Sequence, residues 1–301
     1  MICNICPRKC NIDRAVSHGY CGESDSVRLA RAALHMWEEP CISGDRGSGA
    51  VFFTGCNMRC VFCQNSEIAH GNVGMEVTID RLADIFLELE CKGAANINLV
   101  TPSHYVVQIK EAMEKARALG LKIPFVYNTS SYESPQTLQM LDGLVDIYLP
   151  DFKYMDALLS AKYSNAPDYP DVASAAISEM VRQISDRFGD EELCTFDEDG
   201  MMKHGVIVRH MILPGHTKDS IDVIRTLYEK YGDSVYISIM NQYTPLPHVK
   251  KYRELDRKVT RREYDKVVSA AIDMGVSNAY IQDGETGSDS FIPSFDYEGV
   301  R

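Results

Sequence analysis

Gly49-Ala50-Val51-Phe52-Phe53-Thr54-Gly55 is an apolar run of strand length that begins and ends on glycine. A run this short, rich in Val and Phe and closed by turn residues, reads as a buried strand. Six further runs of the same kind follow at residues 96–100, 124–128, 146–152, 205–213, 235–241 and 278–282. Between them lie windows with helical periodicity, at residues 79–91, 106–119, 135–142, 172–188, 220–231 and 261–274. The 79–91 window puts Leu82, Ile85, Phe86 and Leu89 on one face, with acidic residues opposite. Cys91 closes that window and reads as a small core hydrophobe. Gly120 and Gly275 suit helix C-termini, and Thr260 followed by Glu263 suits a capping box. Strand–helix alternation with near-continuous apolar strands implies a parallel sheet covered by helices. The expected fold class is therefore α/β, a partial (β/α)6-type TIM barrel with parallel strands; a doubly wound sheet is the next arrangement in line.

Two pieces depart from the alternation. Residues 1–48 lack periodicity and read as a small N-terminal cysteine-rich, metal-binding extension to a unit spanning 49–301. Residues 154–204 form an insertion between the fourth and fifth strands, with a helix and then a hairpin turning at Asp199-Gly200. A formal net charge of −12 argues against a general nucleic-acid binder, which needs a basic face. The basic residues Lys250, Lys251, Arg253, Arg257, Arg261 and Arg262 read as the solvated side of a loop and helix. No apolar stretch approaches the roughly 18–20 residues of a membrane span, so no membrane partner is expected. The first residues carry cysteines in place of a signal peptide, which makes the cytoplasm the expected location.

Ten cysteines in a reducing compartment demand a reason other than disulfides. Seven fall into two groups, Cys3/Cys6/Cys10/Cys21 and Cys56/Cys60/Cys63. The second group follows directly after the strand at 49–55, where a loop can wrap three thiolates around a compact centre at the strand's C-terminal end. A [4Fe–4S] cube normally takes one cysteine per iron, so three cysteines leave one iron open, as a catalytic site needs. Structural zinc prefers four closed ligands, and the available fourth groups (His70, Cys41 or Cys91) stand at no usual zinc-ribbon spacing.

Cys56-Asn-Met-Arg-Cys60-Val-Phe-Cys63, with three and then two residues between cysteines and aromatic Phe62 before the last, matches the signature of the radical S-adenosylmethionine (SAM) superfamily. The rest of the chain resembles that superfamily's pyruvate formate-lyase activating enzyme-like branch, and more closely an uncharacterised iron–sulfur subgroup of it. The similarity rests on Cys3-Asn-Ile-Cys6-Pro-Arg-Lys-Cys10, Glu39-Pro40-Cys41-Ile42-Ser43-Gly44, Gly47-Ser48-Gly49 and Cys63-Gln64-Asn65. It continues in Val100-Thr101-Pro102-Ser103-His104-Tyr105, Asp146-Ile147-Tyr148-Leu149-Pro150-Asp151-Phe152-Lys153 and Arg209-His210-Met211-Ile212-Leu213-Pro214-Gly215. The resemblance implies an active site at the strand C-termini and a SAM molecule chelating the open iron. It further implies reductive cleavage to a 5′-deoxyadenosyl radical that abstracts hydrogen from a substrate. A flavodoxin or ferredoxin would donate the electron, and a glycyl-radical protein is the substrate the branch suggests.

Within that frame the expected SAM contacts are Phe62, Asn128 and Thr129 at the third strand's end, Asp151 and Lys153 at the fourth, and Arg209 in the fifth. Asp151 and Lys153, two apart, face the same side, and also suit an ordinary rim ion pair. The activating enzymes' Gly-Gly-Glu stretch is replaced here by Leu99-Val100-Thr101-Pro102-Ser103-His104, so Thr101 or Ser103 is expected to substitute for it. His104 is expected to begin the following helix.

Cys3, Cys6, Cys10 and Cys21 offer four thiolates within one short segment, a second site for zinc or an iron–sulfur cluster. Two other functions compete with radical generation on an activase substrate. One is radical SAM modification of a small molecule, a cofactor precursor or RNA; the other is a zinc-stapled binding protein without redox chemistry. A serine elbow, a His-Glu-x-x-His pair and a glycine-rich phosphate loop are all missing from the sequence, which argues against a hydrolase.

Overall fold

Patterning places the strands before any tertiary information is used, and all seven apolar runs are strands in the computed structural model, which describes residues 2–71, 73–282 and 293–301. In chain order the elements begin with β1 (Val27–His35), α1 (Pro40–Ser43), β2 (Ser48–Phe53), α2 (Ser66–Ala69), β3 (Met75–Val77) and α3 (Ile79–Cys91). They continue with β4 (Ile97–Val100), α4 (Val106–Ala118), β5 (Phe125–Thr129), α5 (Pro135–Leu138), β6 (Ile147–Pro150), α6 (Ala157–Ser164) and α7 (Tyr169–Phe188). The last are β7 (Thr195–Phe196), β8 (Met202–Met211), α8 (Thr217–Tyr231), β9 (Tyr236–Met240), α9 (Arg261–Met274) and β10 (Ala279–Ile281).

One sheet runs in the order β10-β9-β8-β6-β5-β4-β2-β1-β3, with β7 paired to β8. Every neighbour pair from β2 to β10 along this path is parallel. β1 is antiparallel to β2 and to β3, and β7 is antiparallel to β8. The fold is thus α/β with a mostly parallel sheet that, among the described residues, is not closed. Every residue of β2, β4, β5 and β6 is buried, as a parallel sheet covered on both faces requires.

The period-two alternation sorts those strands into two faces. Phe53, Leu99, Tyr127, Tyr148 and Val208 pack into the main core with the apolar stripes of the helices. Val126, Ile147, Leu149 and Ile207 point the other way, where Cys41 and Ile42 of α1 cover them. Asn98, Asn128, Asp151 and Arg209 fall on that second face, the last three one alternation beyond Val126, Leu149 and Ile207.

Patterning does not predict β1 or β3. Arg28 and Arg31 interrupt the apolar run of β1, and both are neutralised from outside it: Arg28 by Glu23 at 3.3 Å, Arg31 by Asp296 at 2.7 Å and by Glu298. Residues 27–48 therefore join the sheet through β1 and cover it through α1. The hairpin in the 154–204 insertion is present, with Asp197 N donating to Met201 O at 2.8 Å across its turn. The capping box of Thr260 and Glu263 forms at the start of α9. Cys91 is a correction: at the last turn of α3 it faces solvent, because the core stripe of that helix ends at Leu89. None of the described helices is long and apolar enough to cross a membrane.

Candidate functional site

Parallel pairing in register brings the C-terminal ends of neighbouring strands together. Val100 pairs with Asn128, Thr129 with Pro150, and Asp151 bridges Arg209. A cavity of ≈ 250 Å³ opens there, lined by Thr101, Asn128, Thr129, Asp151, Lys153 and Arg209. Cys56, Cys60, Phe62 and Cys63, from the loop after β2, line the same cavity. Expected site residues from five separate stretches of the chain therefore share one space.

The cysteine loop leaves β2 through Gly55 at φ +79, where a Cβ would stand 2.4 Å from Glu23 Cγ and 2.8 Å from the Cys21 carbonyl. Glycine alone admits the 21–23 segment that close. Cys56 N then donates to Cys21 O at 3.2 Å. Two donors address the sulfurs: Met58 N reaches Cys56 Sγ at 3.3 Å, and Ser164 Oγ reaches Cys60 Sγ at 2.9 Å. Burial pushes the Cys60 and Cys63 thiols up, while Lys153 pulls each of them back. Phe62 is walled by Tyr154 and Tyr243, at ring-centroid distances of 6.4 and 6.3 Å.

The other side of the cavity is a charged network. Lys153 Nζ donates to Asp151 at 2.6 Å, and Arg209 Nε donates to the other oxygen of Asp151 at 3.0 Å. Arg209 Nη1 donates to Glu38 at 3.0 Å and its Nη2 to Asn128 Oδ1 at 2.6 Å. Burial raises the Asp151 carboxyl, but the adjacent Lys153 and Arg209 outweigh it and hold the group below the usual carboxylate value. Three of the five N–H donors of Arg209 are taken by protein, so its guanidinium cross-links the ends of β5 and β6 to the β1–α1 loop.

Thr101 lines the cavity in a left-handed conformation, φ 60, and left-handed Arg59 and Ser131 stand in the two neighbouring loops. Strained backbone of this kind, costing about 1–3 kcal/mol per residue, gathers at functional sites. Ser103 is not part of the lining. Its hydroxyl is buried and donates to Glu133, which also receives Thr129 Oγ1 at 2.5 Å and Tyr127 Oη at 3.3 Å. Burial pushes Glu133 up to about 7. His104 lies in the turn that starts α4, buried and bonded through Nε2 to Thr54 O at 2.6 Å. Burial lowers it to about 3, which keeps the ring neutral.

Glu38, Glu133 and Ser164 were not legible as site residues. Glu38 lines the cavity from the β1–α1 loop and accepts from Arg209, from Asn98 Nδ2 at 2.9 Å and from Asn128 Nδ2 at 3.3 Å. The one local signal is the Glu38-Glu39 pair directly before Pro40, at the start of α1.

Cys56, Cys60 and Cys63 supply three soft donors on one loop, with hydrogen-bond donors aimed at two of the sulfurs, and this donor set fits an iron–sulfur centre. Among the described residues no three His, Cys, Asp or Glu side chains are gathered as a metal centre. Cys3, Cys6, Cys10 and Cys21 lie in the adjoining segment, all with free thiols.

No family model matches the chain. Among curated proteins, the chain is similar to the uncharacterized protein MJ0674 of Methanocaldococcus jannaschii. The two are 27% identical over 280 residues, covering 89% of this chain and 74% of the relative.

Proposed function

We infer that this protein is a radical SAM enzyme whose Cys56, Cys60 and Cys63 hold three irons of a [4Fe–4S] cluster. The observation that carries the reading is the convergence of those cysteines with the polar ends of four parallel strands on one cavity. When bound, the cluster and SAM supply an electron and a 5′-deoxyadenosyl radical for hydrogen abstraction. The chain's own residues do the rest. Lys153 favours the thiolate form of Cys60, and Ser164 donates to its sulfur. Phe62, with Tyr154 and Tyr243, walls the cysteine side against water. Thr101, Asn128 and Thr129 line the space open to a polar ligand, beside the network of Asp151, Arg209 and Glu38.

The finer architecture belongs to the same reading. The sequential parallel order of β2, β4, β5, β6, β8 and β9 supports a partial (β/α)6-type barrel with its chemistry at the strand C-termini. The chemistry requires a reducing, oxygen-poor compartment, and a flavodoxin or ferredoxin as donor. A glycyl-radical enzyme as substrate rests on the sequence resemblance; incubation with candidate enzymes tests it through a protein-centred radical signal.

The deciding experiment is anaerobic purification, reconstitution with iron and sulfide, and addition of dithionite and SAM. The expected result is 5′-deoxyadenosine that disappears in the Cys56→Ala/Cys60→Ala/Cys63→Ala variant, with an electron paramagnetic resonance signal that SAM perturbs. Zinc in place of iron at this loop, or a cluster signal indifferent to SAM, overturns the reading.

A further inference from the structure

Residues 2–26 fold with no helix and a single bridge, Ile2 to Asp13. Their buried side chains are Cys6, Arg14, Cys21 and Glu23, so the segment has no apolar core beyond two thiols. A piece this small needs a staple, and no disulfide supplies it because all four of its cysteines are free.

The backbone instead turns tightly around each cysteine. Lys9 N donates to Cys6 O at 3.0 Å and Asn11 N to Cys3 O at 3.1 Å, while left-handed Lys9 and Asn11, φ 42 and 54, flank Cys10. Tyr20 N donates to Cys10 Sγ at 3.2 Å. Cys21 Sγ and Cys10 Sγ stand 3.3 and 3.6 Å from where a Cβ on Gly19 would be, so these two sulfurs approach each other over a glycine. Cations surround the group: Arg8 and Arg59 stack on Tyr20 at 4.1 and 5.4 Å, and Arg14 is buried beside Cys21. Four thiolates around a divalent ion carry a net negative charge, which such neighbours offset. The four sulfurs do not meet at one point.

The segment is also the direct support of the Cys56–Cys63 loop. Cys21 O accepts from Cys56 N at 3.2 Å, and Arg8 Nε donates to Asn57 O at 2.7 Å. We propose that Cys3, Cys6, Cys10 and Cys21 form a second, closed four-thiolate metal centre whose binding orders residues 2–26 and thereby braces the loop that carries Cys56. Zinc and an iron–sulfur cluster share this ligand chemistry, and metal analysis separates them.

The test uses the full-length Cys56→Ala/Cys60→Ala/Cys63→Ala variant, purified without oxygen, so that its outcome is independent of radical chemistry. Elemental analysis should find one zinc ion or one iron–sulfur cluster per chain. Adding Cys6→Ser/Cys21→Ser, or the milder Cys3→Ser alone where the double change fails to fold, should abolish or weaken that binding. Stripping the metal with a chelator should speed proteolytic cutting within residues 2–26 at least tenfold while the rest of the chain stays protected. On the wild-type background, the Cys3→Ser change should reduce iron retained at the other cysteine set. A fully folded triple variant with neither zinc nor iron, metal content indifferent to Cys3, Cys6 and Cys21, or unchanged proteolysis on stripping would each overturn the proposal.

Discussion

Arg209 and Glu38 are 171 residues apart in the chain, yet Arg209 Nη1 donates to the Glu38 carboxylate at 3.0 Å. Their side chains are only 14% and 10% exposed, so the pair is one of buried charges rather than a rim contact. Glu38 also receives Asn98 and Asn128, and through Arg209 it is tied to Asp151. It thereby connects the β1–α1 loop to the ends of β4, β5, β6 and β8.

Removing Glu38 should cost more than a surface ion pair does. Glu38→Ala takes one acceptor from Arg209, which keeps Asp151 and Asn128, and leaves the Asn98 and Asn128 amides without theirs, a loss of about 1–3 kcal/mol. A cycle with Arg209→Met, read by urea denaturation, should show a coupling above about 1 kcal/mol. A coupling near zero would mean that the two side chains act independently.

Asp151 predicts a loss of stability in acid. Its folded carboxyl is held below the ordinary 3.8 because Lys153 and Arg209 outweigh its burial. A depressed acid contributes stability that is complete above its unfolded value and is lost as pH falls through its folded value. Asp151→Asn should therefore lie well below wild type in melting temperature at pH 7, with the gap closing below about pH 4. A gap that stays constant from pH 7 to pH 3 refutes this account.

Glu133 predicts the opposite trend. Burial lifts it from the ordinary 4.5 to about 7, so the fold prefers its neutral form. Its stabilising contribution is present below the unfolded value and is lost as pH rises through the folded one. Glu133→Gln should gain on wild type by on the order of 2–3 kcal/mol between pH 4.5 and pH 8. Denaturation midpoints of both proteins at the two pH values measure that difference.

Ser164 donates to Cys60 Sγ at 2.9 Å, and its own oxygen lies 2.8 Å from Tyr154 Oη. If a cluster sits on Cys60, Ser164→Ala withdraws a hydrogen bond that stabilises the more negative, reduced state. Potentiometric titration should then find a lower reduction potential, with iron content unchanged. An unshifted potential would limit Ser164 to packing.

What the sequence determined by itself is what neighbouring residues decide. Seven apolar runs became seven strands, and for β2, β4, β5 and β6 burial on both faces of a parallel sheet needs continuous apolar residues, a local property. The spacing of Cys56, Cys60 and Cys63 was likewise readable, and so was the placement of Asp151 and Lys153 two apart on one face. β1 was not, because its arginines are neutralised by Glu23, Asp296 and Glu298, outside its own pattern. Only the tertiary structure decided that Arg209 cross-links strand ends to the β1–α1 loop, that Ser103 turns to Glu133, and that Glu38 and Ser164 belong to the cavity's surroundings. Each of these depends on a partner 30 to 171 residues away, brought close by strand pairing and helix packing. Such contacts follow from the whole sheet's register and leave no periodic trace in the chain.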